Sequence, residues 1–142
     1  MFNTNNAAWT TLSWSIPSHF GRLSAVPYND RIIVLGSDLN AVFNPETGEW
    51  TVGRQRDGRQ GGGGAGVCDF GAVVEDGRLY VIGGRRYSGE QYDTTNEVKS
   101  AQLTVVCSEG RALRSSDWIP HARLPRPSVI SVCGLLDIPT EV

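Results

Sequence analysis

The sequence predicts an all-β chain, and three observations carry that expectation. Helical periodicity is almost absent, whereas short β-branched or aromatic runs bounded by Gly, Pro, Asn and Asp recur throughout. "LSAVPYNDRIIVLGS", from Leu23, aligns without a gap on "FGAVVEDGRLYVIGG", from Phe70, at an offset of 47 residues. Each of these stretches is followed at a distance by a tryptophan, Trp50 after the first and Trp118 after the second.

The two aligned stretches have the same plan. Ala25 meets Ala72, Val26 meets Val73, Arg31 meets Arg78, Val34 meets Val81 and Gly36 meets Gly83. Both read as strand, acidic turn, strand, glycine. Self-similarity at this period is the signature of a propeller or solenoid, whose units bury their apolar faces on one another. In the first unit, Gly36 leads to "FNPETGEW", Phe43 to Trp50. There Asn44 can accept a local backbone hydrogen bond, Pro45 presets φ and Gly48 permits a positive φ, so the stretch predicts a hairpin with a large ring just past its tip. In the second unit the path from Gly83 and Gly84 to Trp118 is longer. The added residues are expected in the loop Arg85 to Thr95 and in a hairpin end from Val105 to Asp117.

"DGRLYVIGG", Asp76 to Gly84, together with the distant Trp50 and Trp118, resembles the kelch repeat family. "LPRPSVISVCG", from Leu124 and including Arg126, resembles the family's Pro-Arg passage into another blade, and "WSIPSHFGRL", from Trp14, is similar to the same passage between blades. The resemblance implies a partial kelch-type β-propeller with antiparallel four-stranded blades. Residues 1–21 would end a preceding blade, 22–53 form a first unit, 54–66 a Gly/Arg-rich linker, 67–120 a second unit with an insertion, and 121–142 the start of a further blade. The glycines at 36, 83 and 84 and the rings of Trp50 and Trp118 are then packing chemistry. Glycine fits where a strand leaves a crowded centre, and tryptophan supplies area between sheets. Propellers close with about four to eight blades, so a chain of 142 residues is expected to need a larger propeller, a second copy or a capping partner.

Composition narrows the function. Fifteen acidic residues against 13 basic ones leave no field that argues for nucleic acid or a membrane surface. Twelve of those basic residues are Arg, a bias toward forked, planar contacts. Cys68, Cys107 and Cys133 are three and widely spaced, fitting neither a disulfide framework nor a zinc set, so reduced thiols are expected. The start of the chain lacks the basic and apolar segments of a signal peptide, and no apolar run reaches membrane-spanning length. A cytoplasmic location is the resulting expectation.

Candidate sites follow. "RRYSGEQYD" places Arg85, Arg86, Tyr87 and Tyr92 on a rim loop, where Tyr and Arg supply hot-spot chemistry for a protein partner. "GRQRDGRQ" adds Arg54, Arg56 and Arg59 as a contact for an anionic partner, with a solvated loop as the plain alternative. "GGGGAG", Gly61 to Gly66, formally holds G-x-G-x-x-G but runs into a strand and not a helix N-terminus, so it reads as a linker without a cofactor. Thr140, Glu141 and Val142 match a carboxy-terminal PDZ ligand over three residues only. His19 and His121 have no metal-binding spacing, no nucleophile elbow marks a serine, and Asp117, Glu90 and Asp93 read as turn and surface residues. The functional expectation is a non-enzymatic interaction module or scaffold, acting through rim loops and exposed blade faces, with self-association or the rest of a propeller among its partners. The alternative implied by the resemblance is a fragment of a carbohydrate-active enzyme, an oxidase or sugar isomerase.

Overall fold

The computed structural model describes residues 2–3, 5–9, 23–38, 40–53, 64–87 and 89–128. A short antiparallel pair, β1 (Phe2–Asn3) with β2 (Ala8–Trp9), precedes two four-stranded antiparallel sheets. The first is a meander of β3 (Ser24–Tyr28), β4 (Arg31–Leu35), β5 (Asn40–Asn44) and β6 (Glu49–Val52). The second begins with β7 (Gly71–Glu75) and β8 (Arg78–Ile82), after which β9 (Arg85–Tyr87) and β10 (Tyr92–Thr94) form a separate hairpin. β11 (Val98–Gln102) returns beside β8, a helix α1 (Leu103–Ser108) and a 3-10 turn (Ser115–Asp117) follow, and β12 (Ile119–Pro120) closes the sheet at its edge.

Local chemistry explains both opening hairpins. β3 and β7 begin at Ser24 and Gly71, and β4 and β8 at Arg31 and Arg78, each pair 47 residues apart. Asn29 and Asp30 turn the first hairpin with φ of 45° and 56°, and Asp76 and Gly77 turn the second with 48° and 72°. Two consecutive positive φ values are what a two-residue type I′ connection requires, and Asn, Asp and Gly tolerate them best. In the β5–β6 hairpin, Asn44 Oδ1 accepts from Glu46 N at 3.0 Å and its carbonyl accepts from Gly48 N at 2.8 Å. Gly84, with φ of 101°, is a forced glycine, because a Cβ there would stand 2.6 Å from the Cys68 carbonyl oxygen.

One expectation fails. The segment Val105 to Asp117 is not the end of a hairpin: it contains the last turn of α1 and the 3-10 turn. The β-branched run Thr104, Val105, Val106 favours a strand locally, but Leu103 and Val106, three apart on one helical face, are both fully buried in the core. Gly110 (φ 62°) ends the helix in a Schellman arrangement, its N–H donating to Cys107 O at 3.1 Å and that of Arg111 to Val106 O at 3.2 Å. Tertiary burial and a good stop outweigh the propensity.

The core lies between the two sheets. Residues directly opposite in an antiparallel register share a face, so Val26, Ile33, Leu35, Asn40 and Val42 look one way from the first sheet. Ala72, Val74, Leu79, Val81 and Ala101 look one way from the second. These faces form a single cluster with Val67, Phe70, Leu103, Val106 and Leu113. Asn40, with no exposed surface, is the polar exception. Its Nδ2 donates to Leu113 O at 2.9 Å while its Oδ1 accepts from Leu113 N at 2.6 Å, so one amide pairs the first sheet with the connection that leads to β12. On the other face of the first sheet, Phe43 and Trp50 pack at 4.6 Å between ring centroids, and the Trp50 Nε1 is buried without a hydrogen-bond partner among the described residues.

Two stability results are expected. Asn40→Ala leaves both polar groups of Leu113 unsatisfied in the core and should cost on the order of 2–4 kcal/mol in urea unfolding. Trp50→Ala should cost about 3 kcal/mol through lost packing, whereas Trp50→Phe keeps most of the ring and removes an unsatisfied N–H, and should stay within about 1 kcal/mol of the parent.

Candidate functional site

The β9–β10 hairpin lies where the second unit was expected to carry extra residues, and its four named side chains go to different places. The Arg85 backbone bridges Cys68 in both directions, its N–H donating at 2.7 Å and its carbonyl accepting at 2.9 Å, while its Nε lies 3.9 Å from Asp69 Oδ2. Arg86 forms an ion pair with Glu97. Tyr87 and Tyr92 face each other across the hairpin at 5.0 Å and are both more than half exposed. Tyr87 donates its hydroxyl to Gly89 O at 2.7 Å, which fixes the tip. Arg126 is exposed. Arg54, Arg56, Arg59, Cys133 and Val142 lie outside the described residues, as do Trp14, His19 and most of the glycine run.

Arg86 and Trp118 meet in a cleft of about 280 Å³ at the β12 edge of the second sheet, and Glu97, Lys99, Pro120 and Arg123 meet them there. Sequence reasoning named the first two and missed the rest. Lys99 is the centre of the arrangement. It projects from β11 with its Nζ 5.6 Å from the Trp118 ring centroid, and a Cβ on Gly66 would lie 3.3 Å from that Nζ. Among the described residues no hydrogen bond or ion pair takes up the ammonium, whereas Arg86 holds Glu97 and Arg123 donates to Asn96 Oδ1 at 3.0 Å. Burial is the main cause that lowers the Lys99 pKa from the usual lysine range; the Arg86 charge lowers it further and Glu97 partly opposes both.

No family model matches the chain, and no curated protein matches it.

A strand-by-strand comparison of the two sheets shows how unusual Lys99 is. In the first sheet Val34 opposes Ala41, which opposes Val52; in the second, Val81 opposes Lys99, which opposes Pro120. Trp50 opposes Phe43, and extending the β11–β12 register by one residue sets Trp118 opposite Ala101. The two tryptophans are therefore equivalent, and Lys99 stands where the first sheet has an alanine without exposed surface. The one signal available in the sequence was that Lys99 is the single lysine among 13 basic residues, set in the strand "EVKSAQL".

A second constellation starts from Ser100 on the other face of the sheet and meets the cleft at its edge, where His121 is also a lining residue. Ser100 Oγ is 2.6 Å from His121 Nε2 and accepts from Arg78 Nη1 at 3.0 Å, and Tyr80 packs on the imidazole at 5.7 Å. Ser100 has no exposed surface, so this pair works as a strut that ties β12 to β11 and β8. Beyond α1, Asp117 receives both Arg111 Nη1 and Nη2, at 2.7 and 3.0 Å, and this fork is the main cause holding its carboxyl below the usual range. Among the described residues no group of three metal-ligating side chains converges, and no helix is long and apolar enough to cross a membrane.

The Lys99 environment has a stability signature. Its folded pKa lies below the unfolded one, so the desolvation cost is fully present while both states are charged. The cost fades as pH rises through the folded value and is gone above about 10.4, where the unfolded lysine is neutral too. Lys99→Met should therefore raise the urea midpoint at pH 7, and the gap between variant and parent should narrow steadily toward pH 10 in the same titration.

Proposed function

We propose that this chain is a protein-protein interaction module, a two-blade portion of a kelch-type β-propeller that binds through the stacking face of its second sheet and through the neighbouring rim, without catalysis and in the cytoplasm. One observation carries the reading. The 47-residue offset maps Val26, Ile33 and Leu35, which are buried against the second sheet, onto Val73, Tyr80 and Ile82. Those three look the other way from the second sheet, together with Val98 and Ile119, and none of the five belongs to the core cluster. Ile119 is 48% exposed.

Sheets that stack by one geometry leave an identical need at each open end, because the face a unit offers is the face it would bury on the next. The side chains are of the kind such an interface buries: three aliphatics, a tyrosine and an exposed isoleucine around a hydrogen-bonded Arg78, Ser100 and His121 core. The natural partner for this face is another sheet of the same type, from a second copy or from a longer propeller. Contacts between a first and a second unit within the chain, where β3 and β7 approach each other, give the pattern.

Sedimentation analysis of the purified 142-residue chain over a wide concentration range tests this reading. The parent is expected to associate reversibly, and Ile119→Asp to shift it toward monomer with its far-UV circular dichroism unchanged. A parent that stays monomeric at every concentration and binds no apolar dye at this face would overturn the reading.

A further inference from the structure

We propose that the cleft around Lys99 is a recognition site for a carboxylate side chain on a peptide segment of a partner protein. Lys99 is the anchoring cation, Trp118 and Pro120 the apolar walls, and Arg86 and Arg123 the flanking charges. The inference rests on the interaction-module reading only in taking the carrier of the anion to be a protein.

Three independent observations converge on it. First, Lys99 occupies a register position that the first sheet fills with the fully buried Ala41. A lysine there carries a desolvation cost that an alanine would not; among the described residues no hydrogen bond or salt bridge reaches its ammonium, and the nearby charge of Glu97 eases the cost only in part. Second, the surrounding cations are only partly discharged. Among the described residues that line the cleft, Arg86, Lys99 and Arg123 stand with His121 and with one carboxylate, Glu97, which is already held by Arg86. Third, the cleft is of side-chain size, about 280 Å³, and combines an indole face with an open rim at the sheet edge. It can admit one side chain with an apolar stem, but it offers little room for a folded ligand.

The chemistry favours a carboxylate over a phosphate. One ammonium and the remaining donors of Arg123 match a single negative charge with two acceptor oxygens. A phosphate dianion is best held by several converging donors, and one arm of the Arg86 guanidinium, its Nη2, is already taken by Glu97. The Trp118 ring, with its centroid 5.6 Å from the ammonium, adds a cation–π contact on one side of Lys99. A bound carboxylate would restore the lost stabilisation of the charged lysine, which makes the affinity depend on this one residue.

The test is fluorescence anisotropy with a dye-labelled, end-blocked hexaglutamate peptide at low ionic strength, with hexaglutamine as the neutral probe and acetate and inorganic phosphate as competitors. Saturable hexaglutamate binding is expected. It should weaken by at least about tenfold in Lys99→Gln and measurably in Arg123→Gln, persist in Tyr87→Ser at the hairpin tip, and yield to acetate. Lys99→Gln removes a desolvated charge and should fold at least as stably as the parent; if it does not, Arg123→Gln decides alone. Equal binding of hexaglutamate and hexaglutamine, or parent-like affinity in both charge variants, would overturn the site. Competition by phosphate at lower concentration than acetate would overturn the carboxylate assignment. If the peptide fails to bind while Ile119 still governs association in sedimentation, the cleft proposal alone falls.

Discussion

Face-to-face contact between the two sheets is the constraint on which the rest of this structure depends. Neither sheet can satisfy its inner face alone, because Ile33 and Leu35 on one side and Leu79 and Val81 on the other lose their exposure only where the sheets meet. Apolar contact of this kind is not directional, so it does not by itself fix how one sheet sits on the other. The amide of Asn40 supplies that direction. By exchanging two hydrogen bonds with the backbone of Leu113, it fixes the first sheet against the connection that places Trp118 and β12. Positioning of the cleft is therefore coupled to a buried polar contact made far from it in sequence.

The matching register of the two four-stranded sheets gives a reference against which departures acquire meaning. Where both units carry the same kind of residue, as at Val34 and Val81, stacking explains the choice. Where they differ, something else must. Lys99 in the place of Ala41 puts a charge into a packing position, and the hairpin β9–β10 stands beside it only in the second unit. Arg86 on β9 and Glu97 at the return to β11 line the same cleft as Lys99. The added residues and the anomalous lysine thus belong to one local modification of a plain stacking unit.

Much of the fold was legible in the sequence because the information is local. Alternation of apolar residues, the Asn-Asp and Asp-Gly turns and the Asn44 to Gly48 reversal each involve residues within a few positions of one another, and strand ends came out at the expected offset. α1 was not legible, since its β-branched residues favour extension and only the burial of Leu103 and Val106 reverses that preference. Asn40 was hidden for the same reason: its partner Leu113 is 73 residues away. Among the site residues, Arg86 and Trp118 could be named from hairpin composition and repeat position. Lys99 could not, because the offset between β5 and β11 is no longer 47 residues once the β9–β10 hairpin intervenes. Its equivalence to Ala41 appears only when strand register is known.

On the proposed reading, the two faces of the second sheet would divide the chemistry of recognition between them. The outward face offers apolar area around a closed network in which Arg78 is held by Ser100 and by Gln102 Oε1 at 2.8 Å, and area of that kind contributes affinity with little discrimination. On the other side, at the same edge strand, the cleft offers a half-buried charge that Glu97 eases only in part and that a further anion would offset. Such a site discriminates, because a neutral residue in the cleft would leave the ammonium desolvated and unpaired. β12 serves both: Ile119 points to the stacking face, Pro120 and the adjoining Trp118 to the cleft. A partner that covers the stacking face and reaches around this short edge with one acidic residue would satisfy both, and the two-residue length of β12 is what brings them within a single partner's reach.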